Sequence, residues 1–158
     1  GESGTYTFRA FAKPGDLTVS ESSDGGAALK IINNTTSASA MSEFVKTPTE
    51  AANNNGWSLV SVSIECAAGD SVTLIAGIEN ATGTALFDGL NFDKGEARSV
   101  NLLSNNGFEL NLNGWTSTGF TADNTAKTGT KSIISSENTS AISSACTTAG
   151  ACLQTHCC

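Results

Sequence analysis

The side chains with reactive chemistry fall into two groups, and the first is thiol. Cys66 closes an alternating run, whereas Cys146, Cys152, Cys157 and Cys158 crowd into the end of the chain beside the single histidine, His156. Five cysteines is an odd number. In an oxidising setting this pattern predicts disulfides, with at least one cysteine left for another chain. The adjacent residues Cys157 and Cys158 could bridge each other only with strain, so each is expected to seek a distant partner. Metal ligation by Cys152, His156, Cys157 and Cys158 is a competing reading, but the paired CxxC knuckles that mark zinc sites are missing. A reduced, unstructured tail is the third.

The second group is a pair of carboxylates, Asp88 and Glu109, each set among apolar residues. A glycosidase needs two carboxyl groups at a defined separation in a cleft rimmed by aromatics, and no such loop pattern surrounds these. Their simplest reading is that they are merely exposed or cap backbone amides. The sequence also has no GxSxG, no HExxH and no glycine-rich phosphate loop. The expectation is a non-catalytic protein. Sugar binding would need exposed rings, for which Trp57 and Trp115 are the candidates, with core packing as the competing role. Tyr6 and Phe11 are weaker candidates, Phe11 standing on the face opposite Phe8.

These groups must be held by a fold that composition constrains strongly. Only 15% of the 158 residues are charged and 39% are hydrophobic, in a background rich in Gly, Ser, Thr, Ala and Asn. That is the profile of many short strands joined by polar turns. A chain of this length buries ~70% of its unfolded surface in one domain, enough to fold without metal or disulfides. The net charge of -7 argues against nucleic acid and against an anionic membrane surface. No run approaches the ~18 apolar residues of a membrane span, and the opening residues lack a signal-peptide pattern, so the expectation is a mature or excised soluble chain.

Alternation locates the strands. In 4–13, Tyr6, Phe8, Ala10 and Ala12 share one face, and Pro14-Gly15 ends the run. Further runs are 16–20, 28–32 and a short edge strand at 41–46. The run 57–65 carries Val60, Val62 and Ile64 on one side. In 71–79, Val72, Leu74, Ala76 and Ile78 share a face, and 84–92 follows the turn at 79–83. After a connector at 94–99, 100–103 and 108–112 are expected as a strand pair or one bulged strand around Asn105-Asn106-Gly107, and further strands at 120–122 and 131–135. From Ser136 patterning fades. The organisation expected is a single sandwich over 1–135, with a back half 1–93 and a front half 100–135, then a cysteine-containing tail, 136–158, outside the core. Turns roughly every ten residues favour an antiparallel sandwich over βαβ units. Asn-X-Ser/Thr acceptor sites occur at Asn33, Asn34, Asn80 and Asn138, and matter only if the source glycosylates.

The stretches GTYTFRAFAKPG and WSLVSVSIECAAGDSVTLIAGIENATGTALFDGLNFDKGEA resemble the second half of carbohydrate-binding-module-like (galactose-binding-like) jelly rolls, found in tandem in surface proteins of Gram-positive bacteria. NLLSNNGFE, NGW at 113–115 and KTGTKSI at 127–133 resemble the opening half. The resemblance implies an all-β, antiparallel jelly-roll β-sandwich whose halves stand in permuted order. They either close on each other in one chain or are completed by strand exchange with another. It also implies a structural Ca²⁺ held by Asp88 and Glu109 together with backbone carbonyls, oxygen ligands of the kind calcium prefers. Both tryptophans match positions that look structural in that family.

Two functions are expected from these features. The first is an extracellular structural or adhesive subunit that associates with copies of itself, through exchanged strands and tail disulfides, into a fibre or surface layer. The alternative is a carbohydrate-binding module holding a glycan.

Overall fold

A computed structural model describes residues 2–19, 21, 24–48, 54–95, 100–135, 141–147 and 151–153. Among these there is no helix, and so none long and apolar enough to cross a membrane. The strands are β1 (Gly4–Pro14), β2 (Thr18–Val19), β3 (Gly26–Asn33), β4 (Ser39–Met41), β5 (Ser58–Cys66), β6 (Ser71–Glu79), β7 (Ala81–Thr82), β8 (Ala85–Asp93), β9 (Thr116–Thr118), β10 (Phe120–Asp123), β11 (Ser132–Ser135), β12 (Ala141–Thr147) and β13 (Ala151–Leu153).

One sheet runs β10-β11-β8-β1-β5 and the other β13-β12-β6-β3-β4, with β9 also pairing β12 and a small β2-β7 ribbon apart from both. Every pairing between named strands is antiparallel. The alternating faces bring the sheets together. Tyr6, Phe8, Ala10 and Ala12 of β1, with Val60 and Val62 of β5, meet Leu29 and Ile31 of β3 and Val72, Leu74, Ala76 and Ile78 of β6 in one buried cluster. Each fully buried large side chain in it, such as Phe8 or Leu74, contributes about 1.5–3 kcal/mol of transfer free energy.

The expected strands at 100–103 and 108–112 are not formed. Asn105, Phe108 and Asn111 all have positive φ (46°, 57° and 55°), a left-handed geometry incompatible with extended chain. Amide N–H groups of Phe108, Asn111, Asn113 and Trp115 each donate to the carbonyl three residues earlier, giving a run of turns. The chain still follows β8: Leu102 N–H donates to the Phe92 carbonyl and Leu90 N–H to that of Asn106. Where the sequence loses patterning, residues 141–147 form β12, aligned against 71–77 of β6. The segment 81–82, expected as a turn, forms β7. The expected edge strand at 41–46 is replaced by β4 and a single bridge between Val45 and Ala27.

Front and back halves meet within one chain. Ile133 and Ile134 of β11 lie opposite Phe87 and Leu86 of β8.

Candidate functional site: a carboxylate-clamped seam

The seam between the halves is organised by an irregularity in β8. Phe11 lies opposite Asp88 but Arg9 lies opposite Asn91, so β8 carries one residue more than β1 between these pairs. Such a bulge bends a strand and re-aims its side chains. Gly89 makes it possible with φ +59, and a Cβ there would press on the Phe11 ring at 3.2 Å. The bulge sends the Asp88 carboxylate, fully buried, toward the turn at 127–131.

There it accepts hydrogen bonds from Lys127 N–H (2.8 Å), Thr128 N–H (2.8 Å) and the Thr128 hydroxyl (3.3 Å), as well as Gly89 N–H (2.6 Å). Glu109 grips the far end of the same turn. Its carboxylate accepts Thr130 N–H (2.9 Å), Lys131 N–H (3.0 Å) and the Thr130 hydroxyl (2.7 Å). The Thr130 hydroxyl, then the Thr130 and Lys131 amides, hold the Glu109 carboxyl below its ordinary pKa. Gly107, Gly89, Thr128 and Gly129 border a cleft of about 380 Å³ between the two carboxylate-bearing segments.

A carboxylate offers about four lone-pair sites. Asp88 has four donors and Glu109 three. Calcium takes six to eight oxygen ligands; the donors here occupy four sites on Asp88 and three on Glu109, so the pair acts as a backbone clamp without an ion. Among the described residues, no group of three or more His, Cys, Asp or Glu is placed to hold a metal.

Two asparagines that the sequence did not single out hold the rest of the seam. The Asn101 side chain donates to the Leu90 carbonyl (2.9 Å) and accepts from Phe92 N–H (3.0 Å) and Leu103 N–H (3.1 Å). Asn105 donates to the carbonyls of Asn111 (2.9 Å) and Asn113 (2.8 Å) and accepts Leu110 N–H (3.0 Å), while its own carbonyl accepts the Trp115 indole N–H (3.2 Å). The Asn-rich composition of 101–113 was the available signal, since Asn tolerates left-handed backbone and bonds nearby main chain.

The remaining candidates are dispersed. Trp57 and Trp115 are buried at 2% and 7% exposure, and Trp115 packs on Phe108 with ring centroids 5.5 Å apart. Neither ring presents an open face to a sugar. Cys66 is a free, buried thiol; burial, then the charges of Asp70 and Glu65, push its pKa up, which makes it a poor nucleophile for exchange. Cys146 of β12 lies in register opposite Cys152 of β13. His156, Cys157 and Cys158 lie outside the described residues.

Fold and seam together define an all-β protein of two antiparallel sheets closed by a two-carboxylate clamp. No protein family, curated protein or solved structure matches the chain.

Proposed function

We propose that this chain is a non-catalytic structural or adhesive subunit, working outside the cell, that associates with copies of itself. The observation that carries this reading is the inequality of its sheet edges. Among the described residues, the edge strands β10, β4, β13 and β9 have four, three, three and three residues, whereas β5 has nine. Proteins blunt exposed edges by shortening them or by placing Lys, Pro or a bulge there. β5 has no Lys or Pro, pairs with β1 without a bulge and carries one charge, Glu65. Its non-catalytic character is supported by the seam, where both carboxylates are engaged by backbone amides.

The jelly-roll connectivity, the permuted order and the kinship with surface modules are part of the proposal. So is calcium, whose side-chain ligands would be Asp88 and Glu109. If calcium binds, adding it raises the melting temperature and a chelator lowers it in the native chain but not in Asp88→Ala; equal melting with and without calcium rejects it. Light scattering across concentration, with and without reductant, tests assembly. Multimers are expected, part of them lost on reduction through the tail cysteines. A monomer under every condition overturns the reading.

A second reading, glycan binding, is favoured by the outer face of the β8-β1-β5 sheet. There the Lys127 ammonium stands 5.4 Å over the half-buried Phe11 ring, and Arg9 bonds to Asp93 (2.8 Å) and Asn91 (3.4 Å). On a sugar array, binding abolished by Phe11→Ala with the fold intact would support it.

A further inference from the structure

We propose that β5 pairs antiparallel with β5 of a second copy about a two-fold axis at Val62, joining two five-stranded sheets into one of ten. The inference rests on the self-association reading and names its surface. Sheet edges present unpaired N–H and C=O groups that a further strand can satisfy, so what needs argument is the partner.

The partner is written in the strand itself. β5 reads Ser58-Leu59-Val60-Ser61-Val62-Ser63-Ile64-Glu65-Cys66, which is close to symmetric about its middle residue. Antiparallel pairing centred on Val62 sets Ser61 opposite Ser63, Val60 opposite Ile64 and Leu59 opposite Glu65 of the second copy. The whole of 59–65 then faces its own counterpart.

Side-chain direction fits the same register. Val60, Val62 and Cys66 are buried and Ile64 partly so, while Leu59, Ser61, Ser63 and Glu65 face solvent. Centring on Val62 lays inward residues beside inward ones, so the apolar layers of both copies run on continuously. A shift of one residue would set Val against Ser and turn one sheet's core face outward. Larger shifts that keep the faces matched shorten the stretch of 59–65 that meets its counterpart.

Electrostatics favours the same partner. The chain carries a net charge of -7, and two such molecules repel, yet the only charge on β5 is Glu65. In the proposed register the two Glu65 side chains stand six residues apart along the strands, roughly 20 Å, well beyond the ~8 Å screening length at physiological salt. Each lies beside Leu59 of the other copy, which is 63% exposed in the single chain. A two-fold contact uses the same patch on both molecules and closes as a dimer. Longer assemblies then need a second contact, such as the tail cysteines.

The experiment is a charge swap, read by sedimentation velocity in reductant so that tail disulfides cannot contribute. Ser61→Lys with Ser63→Lys places lysine against lysine across the axis, and Ser61→Glu with Ser63→Glu places glutamate against glutamate. Both positions are solvent-facing, so folding should survive, as circular dichroism will report. Wild type is expected to dimerise, each double variant to dimerise roughly thirty-fold more weakly, and an equimolar mixture of the two to recover a heterodimer. Hydrogen exchange on wild type supplies an arm without substitutions: amides of 58–66 should gain protection as concentration rises.

Double variants that dimerise as well as wild type, a mixture that fails to recover, or no concentration-dependent protection in 58–66 would overturn this interface. Persisting wild-type dimers in those cases would leave self-association standing on another surface. A wild type that stays monomeric with and without reductant would overturn both.

Discussion

Asp88 and Glu109 hold opposite ends of one turn: Asp88 takes the N–H groups of Lys127 and Thr128, and Glu109 those of Thr130 and Lys131. Asp88 belongs to a core strand and Glu109 to the run of turns beyond the connector. The turn they clamp leads into β11, which lies against β8. Two carboxylates thus fasten the front of the chain to the back without needing to touch each other.

Replacing Asp88 with Ala should expose the weight of that clamp. The Lys127 and Thr128 amides would lose a buried charged acceptor, at about 1–3 kcal/mol for each group left without a partner. A total loss near 3 kcal/mol is expected, read by urea denaturation, with a melting temperature lower by about 6–12 °C. A loss below ~0.5 kcal/mol would mean that water replaces the carboxylate freely.

Glu109 should make stability depend on acid. Its folded pKa lies below the ordinary value of 4.5, so its contribution is present above the unfolded pKa and is lost as pH falls through the folded one. Asp70, also lowered, chiefly by the Asn33 side chain, acts in the same direction, so the test is a difference. Glu109→Gln should be less stable than wild type at pH 7, and the gap should narrow as pH drops below about 4.5. A gap independent of pH would assign the effect to packing.

Gly129 and Gly69 offer a controlled comparison. Both have positive φ, +65 and +87, but a Cβ on Gly129 would collide with the Glu109 carboxylate whereas one on Gly69 meets nothing within 4 Å. Gly69→Ala should cost about 1 kcal/mol, the strain of left-handed backbone. Gly129→Ala should cost clearly more, and introducing Glu109→Ala alongside it should remove the excess. Equal costs for the two glycines would show that the turn yields.

Asn105 should prove more important than its half-buried position suggests. Asn105→Ala removes an acceptor for Leu110 N–H and donors to two carbonyls, and places alanine at φ 46°. About 2–3 kcal/mol is expected at roughly 1 kcal/mol for each bond. Trp115→Phe, which keeps a ring and drops only the indole N–H bond to the Asn105 carbonyl, should cost about 1 kcal/mol. Comparable losses in the two variants would argue that the aromatic packing, and not the asparagine, holds these turns.

The strands were legible because alternation is local. In 71–79 the expected face of Val72, Leu74, Ala76 and Ile78 is the buried one, and the expected bounds are those of β6. In 4–13 the same holds for Tyr6, Phe8, Ala10 and Ala12. The run 100–112 misled because Leu102, Leu103, Phe108, Leu110 and Leu112 look like strand residues, whereas the asparagines between them take left-handed conformations that a pattern of hydrophobicity does not register. β12 was missed for the opposite reason: its Ser- and Ala-rich sequence carries little pattern of its own, and its place is supplied by the neighbouring strand β6.

Sequence alone therefore determined an all-β chain, the faces of its long strands and the low charge of β5, since each depends on a period of two and on composition. Tertiary structure decided what Asp88 and Glu109 do. A carboxylate's role is set by the donors that reach it, and three of the four reaching Asp88 arrive from 39 and 40 residues further along the chain. It also decided that Trp57 and Trp115 are buried and that β5 ends a sheet among the described residues, because burial and edge position belong to the packing of distant segments and not to any stretch read by itself.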